Sequence, residues 1–231
     1  MPTYRVLVST ANRPACRGLP VLALATGLLL AGCGGDADAG TAAEGHGHSS
    51  GVASVSGGGD GPYEGLNLAD PYQKPDFSLT DTTGAAFDFA ERTADGPTLL
   101  FFGYTNCPDV CPTTMANVAV ALRRLDPAVV QDLQVVFVTT DPAFDTPPVL
   151  GRYLAQFDAD LPTRFIGLTG AQEAIEQAQL STGVPLAEVV GRLHSSLLLL
   201  YGADDAAHVA FDGGNTPQDI AADLGVVAAA A

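Results

Sequence analysis

Apolar and polar positions along this chain alternate, run together or recur at helical spacing, and each pattern predicts an element. Asp76-Phe77-Ser78-Leu79-Thr80 alternates, Asp81-Thr82-Thr83-Gly84 turns, and Phe87 and Phe89 alternate again, which predicts an N-terminal β-hairpin. Thr98 to Tyr104 is a continuous apolar run, the pattern of a strand buried on both faces. Pro112 suits the first turn of a helix, and Met115, Val118, Leu122 and Leu125 then recur at helical spacing. Leu133 to Val138 predicts a second buried strand. Asp145-Thr146-Pro147 predicts a helix start, with Asp145 as the capping side chain and Tyr153, Leu154 and Phe157 as the apolar face. Arg164 to Leu168 predicts a short strand, and Thr169 with Gln172 a capping box for a helix ending near Gly183. Ser195 to Tyr201 predicts an apolar strand, Gly202 to Asp205 a turn, and His208 to Phe211 an antiparallel return. Thr216-Pro217 opens a last helix to about Val227.

This order predicts an α/β sandwich with a mixed central sheet. Two thiols where the first buried strand hands over to a helix is how the thioredoxin fold presents its site. The expected fold class is therefore a thioredoxin-like α/β sandwich with an added N-terminal β-hairpin.

The first part of the chain reads differently. Residues 1–17 carry Arg5, Arg13 and Arg17 and no acid, and Leu19 to Leu30 is an apolar run too short to favour a full membrane span. Small residues follow, ending at Leu30-Ala31-Gly32-Cys33. That arrangement reads as an export signal, the alternative being an uncleaved anchor with an incidental cysteine, and Leu-Ala-Gly-Cys resembles the lipobox of bacterial lipoproteins, whose cysteine is lipidated and becomes residue one. The resemblance implies a signal peptide over 1–32, lipidation at Cys33, and a place at the cell membrane on its extracytoplasmic face. Residues 33–62, rich in Gly, Ala, Ser and Asp without apolar periodicity, are expected to be a flexible tether with a reach of about 30 Å. Residues 63–231 have the size of one domain.

Charge and cysteine count narrow the chemistry. Removing residues 1–32 takes away three arginines and no acid, moving the formal charge from −16 to −19. Such a balance argues against nucleic-acid binding, which needs Lys and Arg for the phosphates. Of four cysteines, Cys16 lies in the signal and Cys33 at the lipobox. The domain keeps only Cys107 and Cys111, too few and too close for a disulfide framework. Cys111 falls at or just before a helix N-terminus and Cys107 in the loop before it, where free backbone amides stabilise a thiolate. Thiolates are soft ligands for Cu(I), zinc or iron–sulfur clusters, and a thiol pair also serves redox exchange.

Two sulfurs leave most metals under-coordinated, so a third ligand is sought. His46 and His48 lie in the tether, either as solvated polar residues or as a His-x-His that captures copper transiently. His208 is expected to be exposed. His194 stands directly before the apolar strand from Ser195, either as a structural cap or as a ligand. Asp141, at the carboxyl end of the second buried strand, is either an additional ligand or outer-shell acceptor, or a turn residue. Asp109 and Pro108 shape the loop between the cysteines. Tyr104 and Phe102 are expected in the core.

Phe102-Gly103-Tyr104-Thr105-Asn106-Cys107-Pro108-Asp109-Val110-Cys111-Pro112 resembles the central motif of the Sco/SenC copper-delivery proteins. Asp141-Pro142-Ala143-Phe144-Asp145-Thr146-Pro147 resembles that family's Asp-Pro…Asp-Thr-Pro stretch, and His194-Ser195-Ser196 its His-Ser segment. The resemblance spans roughly residues 70–225. The chain departs from it at Asn106, where the family commonly has His. The resemblance implies a thioredoxin-like fold and a copper site made of Cys107, Cys111 and His194. It implies a chaperone rather than an enzyme, delivering copper to the binuclear copper site of cytochrome c oxidase. Its partners would be the copper-site subunit of that oxidase, a thiol reductant or another copper chaperone, and the membrane through the anchor. Two thiolates and an imidazole suit Cu(I), and hold Cu(II) if a further oxygen or nitrogen joins. The alternative is an extracytoplasmic thiol–disulfide oxidoreductase using Cys107 and Cys111 as a redox disulfide to reduce the cysteines of a copper-site client. Redox partners of this fold usually separate their cysteines by two residues, whereas this chain has Pro108-Asp109-Val110. A peroxiredoxin reading fails because neither cysteine is preceded by Thr at three and Pro at seven positions. Structural zinc usually takes four protein ligands.

Overall fold

The computed structural model describes residues 61–184 and 196–230, with the backbone alone of 55–56, 187–189 and 192–194. All lie in the compact unit His48–Ala231. The expectations for residues 1–32, Cys33, His46 and His48 fall outside the described residues.

Strand β1 (Val55–Ser56) comes from within the stretch expected to be tether and pairs antiparallel with β2 (Leu66–Gln73). Alternation did not reveal β2, because Pro71 interrupts it. Its pairing with a later strand shifts register between Ala207 and Val209, opposite the stretch that holds this proline, which has no N–H to give a ladder. The expected hairpin forms as β3 (Ser78–Asp81) and β4 (Ala86–Asp88). Phe89, however, does not continue the second strand. The Asp88 carboxylate accepts the Glu91 amide at 3.0 Å and starts α1 (Phe89–Arg92), leaving Phe89 buried and stacked on Phe77 at 4.8 Å.

Next come β5 (Thr98–Gly103), buried throughout, α2 (Val110–Leu122), the short α3 (Pro127–Gln131), β6 (Gln134–Thr139), α4 (Pro147–Asp158) and β7 (Ile166–Thr169). Helix α5 (Gln172–Ser181) lacks the expected capping box. Thr169 ends β7, the N-cap falls on Ala171, and the Gln172 side chain bonds Glu176 instead. The helix stops as expected at Gly183, whose φ of +71° suits glycine. A ribbon of β8 (Ala187–Val189) and β9 (Arg192–His194) follows, then β10 (Leu198–Tyr201), β11 (Ala206–Phe211) and α6 (Pro217–Ala229).

Among the described residues nine strands form one sheet in the order β1-β2-β11-β10-β5-β6-β7-β3-β4. The pairs β5–β6 and β6–β7 are parallel and the rest antiparallel, so the mixed sheet expected from the element order is the one that forms. Alternation along its central strands builds two cores. Leu99, Phe101, Val135 and Phe137 pack with α2, α4 and α6, while Leu100, Phe102, Val136 and Val138 pack with α5, the hairpin and β2. Among the described residues no helix is long and apolar enough to cross a membrane.

Candidate metal centre

The site begins where β5 stops. The Gly103 carbonyl accepts the Thr140 amide at 2.7 Å, tying the ends of β5 and β6 together. A Cβ at Gly103 would stand 2.8 Å from Cys111 Sγ and 2.8 Å from the Phe101 ring. Only glycine lets the sulfur rest on the strand end. The chain then loops, with the Cys107 amide donating to the Tyr104 carbonyl at 3.2 Å, and enters α2. Asp109 holds the N-cap position without capping through its side chain. Cys107 Sγ takes that place and accepts the Cys111 amide at 3.4 Å. The thiol in the loop thus serves the exposed amides of the helix that carries the other thiol.

Both cysteines are free thiols, and their environments differ. Burial pushes the Cys107 thiol up, but the amides of Cys111 and Asp109 and the side chains of Cys111 and Tyr104 outweigh it, so Cys107 ionises more readily than an ordinary thiol. Cys111 is 3% exposed. Burial, the bond to Cys107 and the nearby charges of Cys107 and Asp145 drive it well above the ordinary range, against the Tyr104 amide. The helix N-terminus therefore lowers Cys107 alone. The lowering expected for the pair as a whole fails at Cys111, because desolvation exceeds what one amide returns.

Asp145 is not the helix cap that its place before Thr146-Pro147 predicts. It is fully buried, and Thr146 occupies the N-cap position. The Asp145 carboxylate accepts the Thr105 amide at 2.9 Å and the hydroxyls of Thr105 and Thr139 at 2.5 and 2.6 Å. It thereby fastens the loop that carries Cys107 to the end of β6. Asp141 supports this clamp with its backbone: its carbonyl accepts the amides of Phe144 and Asp145, and its amide donates to Thr139 Oγ1. Phe102 and Tyr104 are buried as expected, and Tyr104 also bonds the Cys107 sulfur. The roles of Thr105, Thr139 and Asp145 escaped the sequence reading. Thr105 adjoins the cysteine motif and Asp145 sits in the second motif, but nothing local says that the two meet.

Two soft sulfurs at a helix mouth can hold a thiophilic metal. Among the described residues no group of three His, Cys, Asp or Glu side chains closes around them. The His194 side chain lies outside the described residues, but its backbone is placed. It ends β9, opposite Ala187, four residues before β10. Strand β10 runs antiparallel to β5, with Leu199 opposite Leu100 and Tyr201 opposite Thr98. The chain leading from His194 into β10 therefore joins the sheet at the end of β5 that bears the cysteine loop. His208, on β11, bonds Asp204 in the preceding turn at 2.7 Å.

The chain is 38% identical over 101 residues to an SCO2-like protein of Rickettsia felis, covering 44% of this chain and 46% of that protein. It spans about half the length of the curated relatives it matches. Among solved structures it resembles ScoI of Bradyrhizobium japonicum with copper bound, at 32% identity and a TM-score of 0.53, over 68% of this chain and 98% of that one. It also resembles BsSco, described as having a disulfide switch and as a member of the Sco family of cytochrome c oxidase assembly proteins. That match has 25% identity and a TM-score of 0.53, over 72% of this chain and 97% of that one. The fold is thus thioredoxin-like, as the element order predicts. The SCO1/SenC model matches residues 68–229, well over half of the chain, and the chain belongs to that family.

Proposed function

We propose that this protein is a copper chaperone that binds one copper ion through Cys107, Cys111 and His194. The observation that supports the reading is a pair of free thiols at the mouth of α2, together with a strand β10 that starts four residues after His194 and joins the sheet at the end of β5 that bears the cysteine loop. Two thiolates and one imidazole suit Cu(I), and a three-ligand site can release its metal by ligand exchange. The copper in the Bradyrhizobium relative supports the choice of metal. The binuclear copper site of cytochrome c oxidase is the proposed destination, in keeping with the assembly role named for BsSco. Delivery makes or breaks no bond in an organic substrate. Lipidation at Cys33 would hold the domain at the extracytoplasmic face of the membrane, where a thiol reductant would keep the pair reduced and another copper chaperone could supply the metal.

The test is an anaerobic Cu(I) titration of the reduced full-length protein. One copper should bind, and Cys107→Ser, Cys111→Ser and His194→Ala should each weaken it by at least about tenfold. Parent-like affinity in His194→Ala would remove the third ligand from the proposal.

A second reading is favoured by the asymmetry of the pair. A readily ionised Cys107 beside a protonated Cys111 suits thiol–disulfide exchange. Cys107 would attack a client disulfide and release one client thiolate. Cys111 would then close on Cys107, releasing the second client thiol and leaving the pair oxidised. Rapid disulfide reduction without copper binding would establish this reading over the first.

A further inference from the structure

Among the described residues three buried hydroxyls have no hydrogen-bond partner: those of Tyr72, Tyr153 and Tyr201. Tyr72 and Tyr201 belong to the core on the sheet face away from the cysteines. Tyr153, on α4, belongs to the core that contains Cys111 and Tyr104 and against which Cys107 packs. Its ring lies 5.7 Å from that of Phe137 and edge-on to Phe157 at 5.2 Å. The Phe137 ring in turn reaches within 3.2 Å of the point at Gly103 that is 2.8 Å from Cys111 Sγ. Burial, and after it the charges of Cys111, Cys107 and Asp145, hold the Tyr153 hydroxyl far above its ordinary ionisation range, so it remains an O–H donor.

A buried donor without an acceptor is costly, and native proteins seldom keep one without a reason. The chemistry of the thiols supplies a reason. Cu(I) displaces both thiol protons to solvent, and with two thiolates and a neutral imidazole the centre carries one net negative charge. That charge develops on the buried Cys111 and the half-buried Cys107, where the Asp145 charge already bears on Cys111. Among the described residues no lysine or arginine pairs with Asp145 or with either cysteine. A neutral donor that has already shed its water can offset such a charge without further desolvation.

We propose that Tyr153 is a positioning residue of the copper site, its hydroxyl donating a hydrogen bond to the Cys111 sulfur once that sulfur is bound to copper. The inference rests on the copper reading above and extends it to a residue on a different helix from the thiols. It makes the metal-free protein carry an unsatisfied donor that the loaded protein satisfies.

The test is Tyr153→Phe, which keeps the ring and removes only the hydroxyl, made in the full-length protein. Three quantities are read: thermal unfolding of the metal-free form, Cu(I) affinity by competition with a chromophoric chelator, and the sulfur-to-copper charge-transfer band after loading with Cu(II). The metal-free variant should melt at or above the parent. Its Cu(I) affinity should fall by roughly tenfold, the worth of a hydrogen bond to a charged acceptor. The band should move to lower energy, because a sulfur relieved of its hydrogen bond donates more strongly to the metal. Unchanged affinity together with an unmoved band would overturn the proposal. So would a metal-free variant that melts well below the parent, since the hydroxyl would then already have a partner. If the parent itself takes no copper, the copper reading fails and this inference with it, a result distinct from a parent that binds and a variant that binds equally well.

Discussion

Asp145 and Asp223 are both buried, at 0% and 1% exposed, and each accepts at least one backbone amide from a segment distant in sequence. Asp145, just before α4, takes one amide and one hydroxyl from Thr105 and a second hydroxyl from Thr139. Asp223, on α6, takes the amides of Glu64 and Gly65 at 2.8 and 2.9 Å, where the chain comes into β2. Burial raises the Asp223 carboxyl above its ordinary range, and the two amides only partly oppose that. The same device thus does two jobs. At Asp223 it closes the chain onto the sheet, and its donors, Glu64 and Gly65, lie outside the cysteine loop. At Asp145 it fixes the loop between β5 and α2, and its charge also bears on Cys111. A buried carboxylate becomes part of a site by what its donors carry, not by its own burial.

The largest expected effect is at Asp145. Replacing it by Ala leaves one amide and two hydroxyls without an acceptor and frees the Cys107 loop from β6. Unfolding in denaturant should show a loss of about 3–5 kcal/mol. Chelator competition should show weaker Cu(I) binding at a temperature where the variant is still folded. If stability falls while copper affinity stays at the parent value, the two aspartates are equivalent and the distinction between them disappears.

How much of this was legible beforehand depends on range. The strand Thr98–Gly103, the thiols after it and the helix that follows announce themselves through an apolar run, a cysteine spacing and a helical repeat, all within about 25 residues. The start of α6 was legible in the same way at Thr216-Pro217, and the structure adds a capping box that Thr216 and Asp219 make between themselves. Phe89 was misplaced because alternation and the first turn of a capped helix look alike over three residues, and only Asp88 tells them apart. Thr169 was given a cap it does not make, because the sheet claims it first. The ribbon β8–β9 went unseen because three-residue strands show too little alternation to read. Asp145 was misread for a deeper reason: its partners lie 40 and 6 residues away, and the parallel pairing of β5 with β6 brings them together. Local pattern carries no trace of that meeting.

A middle-sized effect is expected at Asp223, and its pH dependence sharpens the contrast. Asp223→Asn keeps one acceptor oxygen for two amides and should cost about 1–3 kcal/mol, with Cu(I) affinity unchanged. The native carboxyl holds its proton more tightly than the unfolded one, whose value is about 3.9. Asp223 therefore supports folding most fully below about pH 3.9, and that support is lost as pH rises through the raised native value. Asn does not titrate. The margin of the parent over the variant, from denaturant curves at a series of pH values, should be greatest at the acid end and narrow upward. A margin that widens with pH would mean that the ionised form is the one the fold prefers at Asp223.

The smallest effect tests whether the α6 side is silent toward copper even when its helix is weakened. Thr216 Oγ1 accepts the Asp219 amide at 3.3 Å, and the Asp219 carboxylate accepts the Thr216 amide at 2.7 Å. Thr216→Ala removes the first of these bonds and leaves the second, so the helix keeps half of its reciprocal cap. The expected loss is about 1 kcal/mol, seen as a lower denaturant midpoint with an unchanged slope. Helix α6 packs against α2, the helix that carries Cys111, so a route from the cap to the thiols exists in principle. The clamp at Asp145 and the close seat of Cys111 on Gly103 should block it, because both fix the sulfur from the strand side. Cu(I) affinity should therefore match the parent within the error of the competition assay. A fall in affinity that tracks the loss in stability would show that the thiols are held by the whole domain, rather than by the end of β5 and Asp145.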